Sequence, residues 1–166
     1  NLELQFGRYL RTVLRDEDPE IRALAIQGLW EDDSRSLLNQ LCEMVADEDD
    51  SAVQEMAAIA LGRFSYRVEM NELQPEDVER VRSALFHLRR EGRNWIVRLR
   101  ALESLAYMSG DSEIVAEIED AAASDFEMER AGALVAMGRN LAERWLPTVL
   151  EDLHNDDPDI RCEAAR

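Results

Sequence analysis

Apolar residues recur three and four positions apart along almost the whole chain, and no segment alternates every second residue as a half-buried strand would. The stripes predict helices throughout. Five of them share one layout of apolar positions: Ile21, Ala25 and Leu29; Val53, Ala57 and Leu61; Val97, Ala101 and Leu105; Met128, Gly132 and Ala136; Ile160 and Ala164. The small middle residue lets a neighbouring helix cross closely. Between these come second amphipathic helices, at about 34–46, 75–91, 111–123 and 141–154, with a leading helix at about 2–15. Their stripes are Leu37, Leu41 and Val45; Val78, Val81, Leu85 and Leu88; Ile114, Ile118 and Ala122; and Leu146, Val149 and Leu153.

The first helices begin at Asp18, Asp50, Asn94, Asp125 and Asp157, so successive starts lie 32, 44, 31 and 32 residues apart. Asp and Asn side chains accept hydrogen bonds from the free amides of a first helical turn and suit its positive end. Each start therefore reads as an N-cap. Pro19 and Pro158 follow, where a fixed φ and a missing N–H cost nothing. A hairpin of this kind cannot cover its own apolar face, so neighbours must stack to form one continuous core.

The Asp-Pro-x-Ile-Arg start of the first and fifth copies, with Ala25 and Leu29 following in the first, resembles the HEAT repeat. It resembles in particular the short bacterial variety also called phycobilisome-lyase-like HEAT repeats. The resemblance implies an all-α fold, a right-handed α-solenoid of about four to five helical hairpins, spanning residues 1–166 as a single unit. It also implies a structural ladder of capping acids and first-helix arginines between adjacent repeats, here Asp18, Arg22, Asp50, Asn94, Arg98, Asp125, Asp157 and Arg161. Gln54 and Glu129 stand where arginine is expected, so the ladder is interrupted in the middle. The long spacing of 44 predicts an insertion loop at 65–74, whose Tyr66, Val68 and Met70 either pack locally or meet a partner. Asn1 at the start and a helical pattern running to Arg166 predict that the chain is a fragment whose last repeat is truncated.

Composition then narrows the function. A net charge of -17 argues against a general nucleic-acid binder and favours a basic partner. All 19 cationic side chains are arginine, which reads as compositional bias. No run of apolar residues is long enough to cross a membrane, and two distant cysteines, Cys42 and Cys162, fit a reducing compartment, so a cytoplasmic location is expected. The two histidines, His87 and His154, lack the repeated His-Glu pairs of the helical-repeat hydroxylases. The acidic runs at 31–33, 47–50 and 156–157 lack calcium-loop spacing, and the glycines form no phosphate loop. No catalytic residue, metal site or cofactor is expected. Trp30, Trp95 and Trp145 are read as core plugs near helix ends.

The expected contact surface is the polar side of the second helices: Asn39, Glu43, Glu79, Arg82, Phe86, Arg89, Glu117, Asp120 and Glu151. Phe86 lies opposite the stripe of its own helix, so it either faces a partner or is covered by a neighbouring repeat. Residues 80–100 hold seven arginines and one acid, Glu91, a local balance of +6 that leaves -23 for the rest. This unevenness suits an acidic partner at the centre, a basic one at the ends, self-association between unlike-charged surfaces, or internal Arg-Glu pairing. The expected function is a non-catalytic protein-protein interaction scaffold or adaptor; the alternative is an auxiliary protein of the bilin-lyase type, or a structural or regulatory module of a larger protein.

Overall fold

The computed structural model describes the backbone of residues 2–166 and the side chains of residues 7–166. Its helices are α1 (Leu2–Val13), α2 (Pro19–Gly28), α3 (Arg35–Asp47), α4 (Ser51–Glu69), α5 (Pro75–Glu91), α6 (Trp95–Leu105), α7 (Ser112–Ala122), α8 (Glu127–Asn140), α9 (Leu146–Asp152) and α10 (Pro158–Ala164), with a 3₁₀ turn, Glu143–Trp145, before α9. The array is an α-solenoid of helical hairpins. Helices α2, α4, α6, α8 and α10 stack side by side as one layer, and α3 and α5 pack together in the other.

The core runs through all repeats without a break, from Leu14 and Ile26 through Leu61, Leu85 and Leu102 to Ile118, Met137 and Ile160. Close approach in the first layer depends on small residues. A methyl group on Gly132 would come within 2.0 Å of Leu99 Cδ1, and one on Gly62 within 2.8 Å of Ser104 Oγ. Either substitution would wedge adjacent first helices apart.

Four of the five predicted caps are in place. Asp18 accepts from Glu20 N, Asp50 from Ala52 N and Val53 N, Asn94 from Val97 N, and Asp157 from Asp159 N. The fourth is displaced by one residue, because α8 starts after Phe126 rather than Asp125 and has no side-chain cap. Recounted from 126, the counterparts of Ala25 and Leu29 are Ala133 and Met137, both under 4% exposed; the expected Gly132 and Ala136 are buried as well, while Met128 turns out to solvent. Glu129 then occupies the place of Val53 and Val97.

A recurring clamp confirms the new register. Six residues before it, each repeat offers a main-chain carbonyl to a side chain on the first turn: Arg22 to Asp16 O, Gln54 to Glu48 O, Arg98 to Gly92 O, Arg130 to Ser124 O and Arg161 to Asn155 O. These bonds run from 2.7 to 3.0 Å. The arginines thus brace the turn leading into their own helix and do not ladder to the capping acids. Gln54 makes the same carbonyl bond without a charge.

The first half of the expected loop at 65–74 is instead helix, and 70–74 form the turn that follows. No Pro or Gly interrupts the chain after Phe64, so α4 continues to Glu69. It ends where Asn71 takes a left-handed conformation, φ 58°, with Asn71 N bonding Val68 O and Glu72 N bonding Arg67 O. The extra residues make α4 overhang its neighbours. Glu69 anchors this overhang by accepting from Ser109 N at 3.0 Å and from Ser109 Oγ at 2.5 Å, on the turn between α6 and α7.

Candidate interaction surfaces

The second-helix face is largely committed to internal bonds. Phe86 is 4% exposed, not a projecting contact, because the guanidinium groups of Arg82 and Arg90 lie over its ring at 4.6 and 5.0 Å. Arg82 reaches Asp111 at 2.6 Å and also bonds Glu113, and Arg90 reaches Glu113 at 2.6 Å. Arg89 is the most enclosed of the three. Its side chain is 12% exposed and joins Glu117 at 2.9 Å to Glu129 at 2.5 Å. Three helices, α5, α7 and α8, meet at this one guanidinium.

Of the seven arginines in residues 80–100, five (Arg82, Arg89, Arg90, Arg93 and Arg100) reach a carboxylate of this chain. The basic segment is thereby spent mostly on holding repeats together. Asn39 accepts from Arg80. Glu43, Glu79, Asp120 and Glu151 remain exposed, with Glu43 only 3.6 Å from Arg15 and Glu79 accepting from Ser83 at 2.9 Å. They are scattered acids on separate helices.

The tryptophans divide. Trp145 is buried, and its Nε1 donates to Asn140 Oδ1 at 2.8 Å while Asn140 Nδ2 donates to Ala106 O at 2.9 Å. Trp95 is half-buried edge-on to Phe126 at 5.5 Å between ring centres. Trp30 departs from the expected core role, being 68% exposed at the end of α2. The cysteines sit apart: Cys42 is half-buried, its thiol pushed up to about 11 by burial, and Cys162 is exposed.

A groove opens on the first-helix side. It holds about 590 Å³ and is lined by Glu31, Arg63, Tyr107 and Arg139, which all stand thirteen residues after the start of their repeat. A second hollow of about 570 Å³ shares Tyr66, Tyr107 and Arg139 and continues it past Leu141. The overhang of α4 forms one wall. Tyr66, 52% exposed, meets Tyr107 edge-on with ring centres 5.8 Å apart, and Arg139 lies over the Tyr107 ring at 5.3 Å. Behind them runs a charged chain across the first layer: Glu55 to Arg100 at 3.4 Å, Arg100 to Glu103 at 2.8 Å, and Glu103 to Arg139 at 3.5 Å.

Periodicity alone directed attention to the polar side of the second helices and missed this groove. Its rungs were nonetheless written at a fixed offset in each repeat. With the fourth start placed at 126, Glu31, Arg63, Tyr107 and Arg139 align without a gap.

The sequence model of a family described as HEAT repeats matches residues 8–106 of the chain. A search of curated proteins finds no match.

Proposed function

Since this chain belongs to the HEAT repeat family, whose members generally mediate protein-protein interaction, we propose that it is a non-catalytic interaction module that presents a face of the stacked repeats to a protein partner. One observation carries this reading: an open groove that runs across four successive repeats and is lined from the same position in each. A contact surface that repeats with the scaffold suits an elongated partner, which can meet one rung after another. A reaction centre would instead need several groups converging on one point.

The total charge of -17 also favours a partner with basic segments elsewhere on the surface, where Glu43, Glu79, Asp120 and Glu151 are exposed. Affinity capture from the native source, followed by cross-linking of the recovered complex, tests the proposal. A defined partner cross-linked to the repeats is the expected result. Recovery of no protein above a control column, at low or high salt, would refute it.

A further inference from the structure

Arg63 lines this groove in a chain with 36 acidic residues and only 19 cationic ones. Acids outnumber cations almost two to one, and Arg11, Arg22, Arg67, Arg82, Arg89, Arg100 and Arg139 all hold carboxylates. Arg63 holds none. Its hydrogen bond goes to the main-chain carbonyl of Asp32, leaving the remaining N–H donors of a planar five-donor group without a carboxylate. Burial lowers its proton affinity, with Asp33, Asp32 and Glu31 compensating only in part and from beyond ion-pairing distance. A half-buried guanidinium in a groove, without a carboxylate from a chain rich in them, is chemically incomplete.

The surroundings say what would complete it. Ile59, 45% exposed, lies one helical turn before Arg63 on α4, and Tyr66 lies one turn after it, so the guanidinium sits between an aliphatic and an aromatic surface. Packed helices stand about 8–10 Å apart, and an extended chain advances about 3.3 Å per residue, so successive rungs fall about three residues apart along an extended segment. A nucleic-acid backbone fits poorly, because its many phosphates would meet the repulsion of the whole acidic array, Glu31 and Asp33 of the groove included.

Resting on the protein-interaction reading above, we infer that the groove receives an extended segment of the partner protein. An aspartate or glutamate of that segment pairs with Arg63, and an apolar neighbour seats against Ile59 and Tyr66. The next rung, Tyr107, then meets a residue about three positions along, and Arg139 one about six positions along.

Selection of phage-displayed random peptides on the intact protein tests this. Enriched sequences should fix one acidic residue beside an apolar one. The leading peptide, made synthetically with a fluorescent label, should lose about tenfold or more in affinity when its acid is changed to the amide. It should lose as much on Arg63→Met. Because Arg63 also supports the Asp32 turn, Ile59→Glu serves as a second variant: the position is exposed, and a carboxylate there should repel the peptide while the circular dichroism and melting temperature stay unchanged. A selection without binders, enriched peptides without a fixed acid, or equal binding to both variants and the wild type would overturn the inference. Peptides that bind equally to all three proteins would do so while leaving the protein-interaction role intact.

Discussion

Single side chains tie adjacent repeats together at their turns, and the clamp on each first turn is the clearest case. Arg22 bonds the carbonyls of Asp16 and Glu17 and makes a two-point ion pair with Glu48, at 2.9 Å from Nε and 2.8 Å from Nη2. Glu48 belongs to the turn that leads into the next first helix, so this one residue braces two turns. Its side chain is 17% exposed and that of Glu48 8%, which keeps water from replacing the bonds. Arg22→Met should therefore lower stability by about 2–3 kcal/mol in a denaturant titration, as expected for losing charged hydrogen bonds at a partly buried site. Gln54 has a carbonyl bond of 2.7 Å but no ion pair, and its Oε1 accepts from Arg93 N at 2.9 Å. Gln54→Arg should not stabilise the chain, since the clamp is already made and the site is 5% exposed. Unequal dependence on the same position is what a ladder of identical salt bridges would not give.

At the level of helices, the sequence pattern read the number and order of elements well, because helical periodicity and Asp caps are local signals. It misplaced α8 by one residue, since Asp125 looks like its counterparts but lies one residue ahead of the Phe126 cap, and only tertiary contacts bring Ala133 and Met137 inward. It read the overhang of α4 as a loop because the helix ends on Asn71 rather than on glycine or proline. Phe86 was ambiguous for a physical reason: what covers it are arginines on its own helix, held in place by acids of α7 that no helical wheel displays. The groove was illegible without the corrected register. Two predictions belong here. Gly132→Ala should destabilise the protein despite a gain of about 1 kcal/mol in helix propensity, because the added methyl overlaps the whole end of Leu99 and overpacking costs about 1–3 kcal/mol. A lowered melting temperature would show it; a raised one would mean that α6 and α8 separate freely. The contact between α5 and α7 should respond to acid. Burial tends to raise the Asp111 carboxyl, but its hydrogen bonds with Arg82 and the Glu113 amide outweigh this and hold it below the ordinary value of 3.8. A depressed carboxyl contributes stability that is full above its ordinary value and is lost as the pH falls through its folded one. Melting temperatures should thus drop below about pH 4 in the wild type, and Arg82→Met should start lower at neutral pH and fall less steeply in acid.

Across the whole molecule, stability should be distributed along the array rather than held in one place, because each repeat touches only its neighbours. The junction at Arg89 is where this can be seen. Glu129 stands at a position filled by Val53 and Val97 in earlier repeats, and Arg89 neutralises it while also gripping Glu117. The array has exchanged an apolar contact for an enclosed ion triad, and such triads are costly to break from one side. Arg89→Met leaves two carboxylates facing each other beside the core, so α7, α8 and the two helices after them should loosen. Hydrogen exchange resolved by segment is the measurement. The expected outcome is faster exchange in α7 and α8, with α2 and α3 unchanged; uniform loss of protection from α2 to α10 would instead make the chain one cooperative unit. Combining Arg89→Met with Glu129→Val restores the apolar residue of the other repeats and removes one of the stranded charges, so it should recover most of the protection in α8. Recovery there but not in α7, where Glu117 still lacks its partner, would identify the triad as two separable contacts sharing one guanidinium.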